Sequence, residues 1–261
     1  MEKESLVNVF KEMEAVIAYS PDKATSINLE EFEEFLGKVR VKAIEKAKKN
    51  KESLGVDHPM FEPVSLLRPI GRGRDELSYT KLLAYFLNPN ENHGFGGKIA
   101  YAFLNEVFES EYEYDQIVVA GEYYCNTDSR VDLWITGKYG NGSSGKKDFL
   151  VIIEAKVGAS VGATQLTRYS ECANKWKSNN PSGMVRKILL IPDNKISDSI
   201  KEWRTLYFSS MTKLIWQAIR DEKNKHGYHY ARFYVASIYQ DILDWESDQN
   251  LDSNPYPYLL V

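Results

Sequence analysis

The sequence predicts an α/β domain with a central mixed sheet flanked by helices, preceded by a helical extension. Apolar residues recur every three to four positions in the first 55 residues and again between about residues 75 and 108. Residues 117–157 contain three segments of β type, and a helical segment followed by a buried apolar strand comes next. The chain has 261 residues, enough for one large domain with an appendage. We divide it into an N-terminal helical extension, residues 1–60, and a main domain, residues 61–261.

The bulk composition excludes several classes of protein. Hydrophobic residues make up 43% and charged residues 27%, as in ordinary globular domains, so wholesale disorder is excluded. No apolar run approaches the roughly 18 residues of a membrane span, and the N-terminus lacks a signal-peptide pattern, which favours a cytoplasmic protein. The net charge of −4 argues against a surface covered with nucleic-acid-binding charge, but a local basic groove remains compatible with it.

The two cysteines, Cys125 and Cys172, are far apart in the sequence. Neither a disulfide framework nor a zinc cluster is indicated by their number and spacing. We expect both to be small buried apolar residues.

The N-terminal extension is predicted to contain two helices. Apolar residues between Leu6 and Ile17 form one helical stripe, and a second helix begins near Asn28. This second helix runs into residues 38–51, which contain seven Lys or Arg residues and one Glu. One side of the helix carries Lys38, Lys42, Lys46 and Lys49. We expect this side to be solvated, and the alternative is a surface that binds phosphate.

The elements of the main domain follow in order after a connector rich in Pro and Gly, residues 55–73. Asp75 is expected to cap a helix that ends at Leu87, and a second helix covers about residues 98–108. Strands are predicted over 117–125, 130–136 and 149–157, then a helix over 163–177 and a strand over 185–191. Three helices, near 197–203, 212–222 and 230–245, and an extended piece near Leu206 complete the chain.

Three polar residues stand out on two of these strands. Glu154 and Lys156 are two positions apart and therefore project from the same face of their strand. If Thr136 pairs near Leu150 in an antiparallel hairpin, Asp132 lies opposite Glu154 on that face. A slip of the pairing by one residue would place the two carboxylates on opposite faces of the sheet, so the observed register tests whether they form one site.

Two neighbouring carboxylates repel each other and are costly to bury without a compensating charge. Lys156 compensates in part, and a hard divalent cation such as Mg²⁺ or Mn²⁺ would complete the compensation through oxygen ligands. Such an ion activates water and neutralises a phosphate, while a lysine stabilises the attacking water. The alternative is a structural ion pair at the end of a strand.

The spacing of Asp132 and Glu154-Ala155-Lys156 resembles the PD-(D/E)XK nuclease superfamily, and Gln165-Leu166-Thr167-Arg168-Tyr169 is similar to the QxxxY extension of one of its branches. The segment from Glu76 to Gly94 also resembles that branch, so the resemblance covers about residues 68–210. It implies a restriction-endonuclease-like αβββαβ core. A departure is Val131, where the motif has proline.

The resemblance also implies roles for individual residues. Asp132 and Glu154 correspond to the metal-binding acids, Lys156 to the catalytic lysine, and Glu76 to an acid on the first core helix that supports the metal site. Gln165 and Tyr169, four apart on one helix face, would contact substrate or orient Lys156, or would be surface and core residues. Arg72 and Arg74 are candidates for phosphate contact, with ion pairing to Asp75 and Glu76 as the alternative.

These features favour a nuclease that hydrolyses DNA phosphodiesters with Mg²⁺ or Mn²⁺. Defence against foreign DNA and a homodimer that cuts both strands are what the resemblance implies. Two rival interpretations remain open. One is a non-catalytic module of the same fold that binds nucleic acid or protein, and the other is a nuclease directed at RNA.

Overall fold

A computed structural model of the chain describes residues 29–55, 57–62, 65–127, 129–141, 145–158, 162–193 and 202–245. The predicted helix between Leu6 and Ile17 lies outside these residues, as does nearly all of the one predicted near 197–203. The division of the chain at residue 60 stays a prediction.

The described part of the chain contains six α-helices. Each begins at or near an expected position, because its apolar stripe and its flanking turn residues are local signals. Helix α6 continues directly into a π-helical segment, Ile238–Ile242. The helices are α1 (Leu29–Leu54), α2 (Glu76–Leu87), α3 (Lys98–Phe108), α4 (Ala163–Asn179), α5 (Phe208–Ile219) and α6 (Tyr228–Ser237).

Five strands form one mixed sheet in the order β1-β2-β3-β4-β5. The first three are antiparallel neighbours, whereas β3, β4 and β5 are parallel and are joined by longer connections, of which the first contains α4. The predicted α/β architecture with its αβββαβ core is confirmed. The strands are β1 (Glu113–Asn126), β2 (Ser129–Gly140), β3 (Lys147–Ala155), β4 (Met184–Ile191) and β5 (Arg204–Tyr207).

The register between β2 and β3 agrees with the expectation. Thr136 pairs with Leu150, and the ladder extends from Tyr139 opposite Lys147 to Leu133 opposite Ile153. Continuing this register by one residue places Asp132 opposite Glu154. The hairpin therefore brings the two carboxylates together, as predicted.

Apolar side chains pack on both faces of the sheet. The larger core contains residues of α2, α3, α5 and α6 with one face of the central strands, and a smaller core lies beneath α4 on the other face. Strand β3 is almost completely buried because it has a strand on each side and helices on both faces. The central strand therefore supplies a rigid base for the residues at its carboxyl end.

The sequence of residues 130–136 alternates between apolar and polar side chains and predicts Val131, Leu133 and Ile135 on one face of β2, but this alternation breaks at Asp132. Leu133 and Ile135 belong to the larger core, but Val131 belongs to the smaller one, so the expectation that all three share a face was wrong. The neighbouring strand is irregular at the same level, because Glu122 has a φ of 51°. A residue with positive φ changes the direction of the following side chains, and Tyr123 accordingly stacks on Trp134 at 4.5 Å between ring centroids.

The expectation for the cysteines is corrected. Cys125, near the end of β1, and Cys172, in α4, form a disulfide with Cα atoms 5.9 Å apart. The packing of α4 across the end of the β1–β2 hairpin brings them together, although 47 positions separate them in sequence. Since a disulfide is unusual in a reducing cytoplasm, it gives no support to the cytoplasmic prediction.

Helix α1 is exposed along most of its described length. The four lysines of its basic face are exposed, in agreement with a solvated face, and Lys38 pairs with Glu34 at 2.6 Å. Ala47, in contrast, is fully buried against the larger core. None of the described helices is both long enough and apolar enough to cross a lipid bilayer.

Candidate active site

Glu154 and Lys156 lie at the carboxyl end of β3, where the strand is still paired with β4. The backbone N–H of Lys156 donates to the carbonyl of Leu190 at 2.9 Å, which holds the residue in extended geometry beyond the strand itself. The Glu154 side chain is 0% exposed. Its Oε1 lies 2.5 Å from Nζ of Lys156, so the strand end contains a buried ion pair.

Asp132 joins this pair from β2. Its Oδ2 accepts a hydrogen bond from the backbone N–H of Ala155 at 2.8 Å. This amide lies beyond the last paired residues of the two strands, Leu133 and Ile153. The Asp132 carboxylate therefore takes the place of a backbone acceptor where β2 and β3 separate.

Glu76 reaches the same place from the first turn of α2. Its Oε1 accepts from Nζ of Lys156 at 3.1 Å, and its Oε2 accepts from the backbone N–H of Val157 at 3.0 Å. The Lys156 ammonium thus lies between Glu76 and Glu154, with a side chain only 10% exposed. Four of the residues predicted from the sequence meet here: Glu76, Asp132, Glu154 and Lys156.

Burial dominates the electrostatics of these groups. Burial, followed by the charge of Asp132, raises the pKa of Glu154 to about 8. Burial also raises the pKa of Asp132. For Lys156, burial alone would lower the pKa, but the ion pairs with Glu154 and Glu76 outweigh it and the pKa rises. At neutral pH the Lys156 ammonium is therefore firmly charged, while the raised pKa of Glu154 favours a proton on that carboxyl unless another cation arrives.

The donor set fits a hard divalent cation. In the described part of the chain, neither carboxylate oxygen of Glu154 has a hydrogen bond of normal geometry, although both are buried. Asp132 and Glu154 offer oxygen ligands, which Mg²⁺ and Mn²⁺ prefer. Across the described residues, however, no three His, Cys, Asp or Glu side chains already form a cluster that would hold an ion. Both oxygens of Glu76 are engaged with Lys156 and Val157, so its place as a metal ligand stays a prediction.

Gln165 and Tyr169 share one face of α4, as their spacing predicts. Nε2 of Gln165 donates to the Tyr169 hydroxyl at 2.8 Å, and this hydroxyl donates to the carbonyl of Arg130 at 2.5 Å. Tyr169 is buried in the smaller core. The pair therefore anchors α4 to β2 two residues before Asp132, while direct contact with substrate stays a prediction.

Arg72 and Arg74 are engaged by other acids. Arg72 pairs with Asp75 at 3.1 Å, which is one of the ion pairs considered from the sequence, whereas Arg74 pairs with Asp244 instead of Glu76. Both side chains are more than half exposed. Their role in substrate binding stays a prediction.

Asp241 is a supporting residue that the sequence reasoning missed. Its buried carboxylate binds Nε of Arg68 at 2.8 Å and the Tyr79 hydroxyl at 3.0 Å, and it also accepts from Ser65. These contacts fix the segment that leads into α2 and therefore place Glu76. An acid within the mostly apolar stretch Ile238–Ile242 was the available signal.

Comparison with known proteins gives one structural and one family match. A solved structure of the MspJI restriction endonuclease in complex with a 27-mer oligonucleotide is 14% identical, with a TM-score of 0.32. The match covers 67% of this chain and 38% of that one, so this chain spans well under half of its length. No curated protein gives a significant match. The family model described as the PD-(D/E)XK nuclease superfamily matches residues 66–248, which include the whole carboxylate site, and the chain belongs to this superfamily.

Proposed function

We propose that the chain is a divalent-metal-dependent nuclease that hydrolyses phosphodiester bonds of DNA. The observation that carries the proposal is the buried carboxyl of Glu154, which faces Asp132 across the hairpin and has the Lys156 ammonium at 2.5 Å. A strand end that served only packing would not bury two carboxyls beside one lysine, because each unpaired charge is costly to desolvate.

Asp132 and Glu154 would hold the metal ion, with Glu76 as a supporting acid. When bound, Mg²⁺ or Mn²⁺ would neutralise charge on the phosphate and increase the acidity of a bound water. Because the pKa of Glu154 is raised to about 8, the ion has to displace a proton from this carboxyl at neutral pH.

Lys156 would orient the attacking water and stabilise negative charge near the scissile phosphate. The contacts of Glu76 with Lys156 and with the Val157 amide fix the position of that ammonium. The hydrogen bond from Tyr169 to the Arg130 carbonyl fixes the strand that carries Asp132. Positioning of this kind lowers the entropic part of the barrier.

Several finer parts of the proposal rest on the family resemblance. They are the choice of DNA over RNA, a role in defence against foreign DNA, a homodimer and the branch defined by the QxxxY motif. A cytoplasmic location is proposed from the sequence pattern and not from the resemblance. Sedimentation analysis of the purified chain tests the homodimer directly.

The central test is cleavage of a supercoiled plasmid with Mg²⁺, Mn²⁺ or EDTA. We expect nicking or linearisation only with a divalent ion, and a loss of rate of about 100-fold or more in Glu154→Gln and Lys156→Met. Lys213→Met, which changes an exposed lysine of α5, is the matched control and should keep the wild-type rate. Thermal melts of all variants verify that they are folded.

Parallel substrates separate the proposal from its rivals. If single-stranded RNA is cleaved while duplex DNA stays intact, the protein is a nuclease directed at RNA. Binding of nucleic acid without metal-dependent cleavage, together with no change on Lys156→Met, would indicate a non-catalytic module and contradict the proposal.

A further inference from the structure

Beside the carboxylate site lies a group of polar and aromatic side chains that the proposed chemistry does not use. We call Lys81, Glu122, Tyr124 and Arg130 the rim. Glu122 joins its two cations, because Oε1 lies 2.7 Å from Nη1 of Arg130 and Oε2 lies 3.1 Å from Nζ of Lys81. Three elements thus contribute to one surface, namely α2, β1 and β2.

The rim is next to the site along two independent paths of the chain. Arg130 precedes Asp132 by two residues on β2, and its carbonyl accepts the Tyr169 hydrogen bond. Glu122, which pairs with Lys81, lies opposite Asp132 in the β1–β2 register, between the pairs Gly121–Leu133 and Tyr123–Val131. The pairing of β1 with β2 therefore holds the rim beside the carboxylate site.

The irregularity at Glu122 decides which side chains face outward. Tyr124 pairs with Arg130 across the strands and is 65% exposed, whereas Tyr123 stacks on Trp134. The side chains of Lys81 and Arg130 are 58% and 52% exposed, and that of Glu122 is 24% exposed. The Tyr124 side chain also hydrogen-bonds that of Arg130, so a large aromatic ring lies exposed beside this cation.

We propose that the rim binds the nucleic-acid strand beside the carboxylate site, with Tyr124 stacked on an unpaired base and with Arg130 and Lys81 against neighbouring phosphates. Exposed aromatic rings interleaved with cations are the common means of binding single strands, because every base has a π face. The inference rests on the proposed function and adds a substrate class, namely strands that are single or locally unpaired near the cleaved bond.

If the rim binds nucleic acid, changes at Glu122 and at Arg130 should have opposite effects on the affinity. The Glu122 carboxylate neutralises one of the two cations and repels phosphate, yet it also holds both cations in place. If phosphate binds here, removal of the Glu122 charge strengthens binding and removal of the Arg130 charge weakens it. A purely structural ion pair would respond to both changes with lower stability and unchanged affinity.

The experiment measures binding separately from cleavage. In a Glu154→Gln background, fluorescence anisotropy gives the Kd for a labelled single strand, its duplex, and the same strand with abasic positions. Tyr124→Ala should weaken single-strand binding by about 10-fold and leave the abasic strand unaffected, whereas Tyr124→Phe should bind as the parent. Tyr230→Ala, which removes a tyrosine 62% exposed on α6, is the matched control.

The charge variants complete the test. Arg130→Gln should weaken binding and lower the slope of log K against log salt by about one, while Glu122→Gln should tighten binding. Arg220→Gln, whose parent side chain is 60% exposed, is the control for charge alone. Melting temperatures of each variant show whether an effect comes from unfolding.

Two sets of results would overturn the inference. One is an equal loss of single-strand and duplex binding on Tyr124→Ala, or no loss. The other is a shift in the same direction for Arg130→Gln and Glu122→Gln. If either result is found and the parent still cleaves the plasmid normally, only the proposed role of the rim is rejected. If metal-dependent cleavage is absent, the proposed function is rejected.

Discussion

Asp132 provides the hydrogen-bond acceptor at the point where β2 leaves β3. The hydrogen-bonded pairing of these strands ends at Leu133 and Ile153. The backbone N–H of Ala155, which lies beyond that pair, therefore needs an acceptor other than a backbone carbonyl of β2. Oδ2 of Asp132 accepts from it at 2.8 Å. A buried amide without an acceptor costs about 1–3 kcal/mol, so this carboxyl stabilises the fold as well as supplying the site.

Substitutions at Asp132 should separate these two roles. Asp132→Ala should lower the free energy of unfolding by about 1–3 kcal/mol, because it removes the acceptor for Ala155. Asp132→Asn keeps an oxygen in place and removes a carboxyl whose pKa burial raises, so it should be at least as stable as the parent. Urea unfolding in EDTA measures both values.

The same variants should lose the stabilisation that Mn²⁺ gives the parent, because both lack the Asp132 charge. Asp221→Ala, which changes a side chain 87% exposed after α5, is the control and should change neither quantity by more than about 0.5 kcal/mol. An equal loss of stability in the Ala and Asn variants would contradict the role assigned to the Ala155 hydrogen bond.

At the scale of elements, local patterns predicted most of the fold. The bounds of α2 and α3 follow from apolar stripes and flanking turn residues, and the antiparallel order of β1, β2 and β3 follows from short connections. The site was predictable to the same extent. Register alone places Asp132 opposite Glu154, but Glu76 arrives from another element and only the family resemblance indicated it.

The remaining features depend on contacts between elements, which local patterns do not contain. The positive φ of Glu122 and the break at Asp132 arise where two strands distort together. Arg74 pairs with Asp244, which is 170 positions away in the sequence, so the acids next to Arg74 in the sequence did not predict its ion-pair partner. The disulfide likewise depends on how α4 packs over the hairpin.

That disulfide joins two elements that serve the site, because β1 borders the strand of Asp132 and α4 carries Tyr169. Closing a loop with a separation of 47 positions removes conformational freedom from the unfolded chain. We expect reduction with dithiothreitol to lower the free energy of unfolding by about 2–4 kcal/mol. Denaturant unfolding with and without the reductant measures the difference.

The double variant Cys125→Ser/Cys172→Ser is the control for the reductant, since its stability should not depend on dithiothreitol. Mass spectrometry of the unreduced, alkylated parent should show a peptide pair linked through Cys125 and Cys172. Two alkylated thiols in protein purified without reductant would contradict the disulfide.

At the scale of the whole molecule, the connector after α1 is fixed to the C-terminal helices. Its His58 is 3% exposed, and its ring lies 5.4 Å from that of Trp216 and 5.8 Å from that of Tyr239. Nδ1 of His58 accepts from the backbone N–H of Met60 at 3.2 Å. Ion pairs flank this contact on both sides, Asp57 with Lys223 and Glu62 with Arg232, each at 2.6 Å.

The connector therefore depends on a neutral histidine. Burial, together with the nearby charge of Arg232, lowers the pKa of His58 from 6.5 to about 4. The folded protein binds this proton less tightly than the unfolded chain does. The full contribution to stability is present above pH 6.5 and is lost as the pH falls towards 4, and it amounts to at most about 3 kcal/mol.

We accordingly expect the free energy of unfolding to fall between pH 7 and pH 5 more steeply in the parent than in His58→Asn. Asparagine can still accept the Met60 hydrogen bond but does not titrate, so this variant should start less stable, because it loses the aromatic contacts, and should depend less on pH. His229→Asn, which changes an exposed histidine of α6, should keep the parental slope. Denaturant unfolding at half-unit pH steps measures all three proteins. Equal slopes for the parent and His58→Asn would show that the attachment of the connector does not depend on the charge of His58.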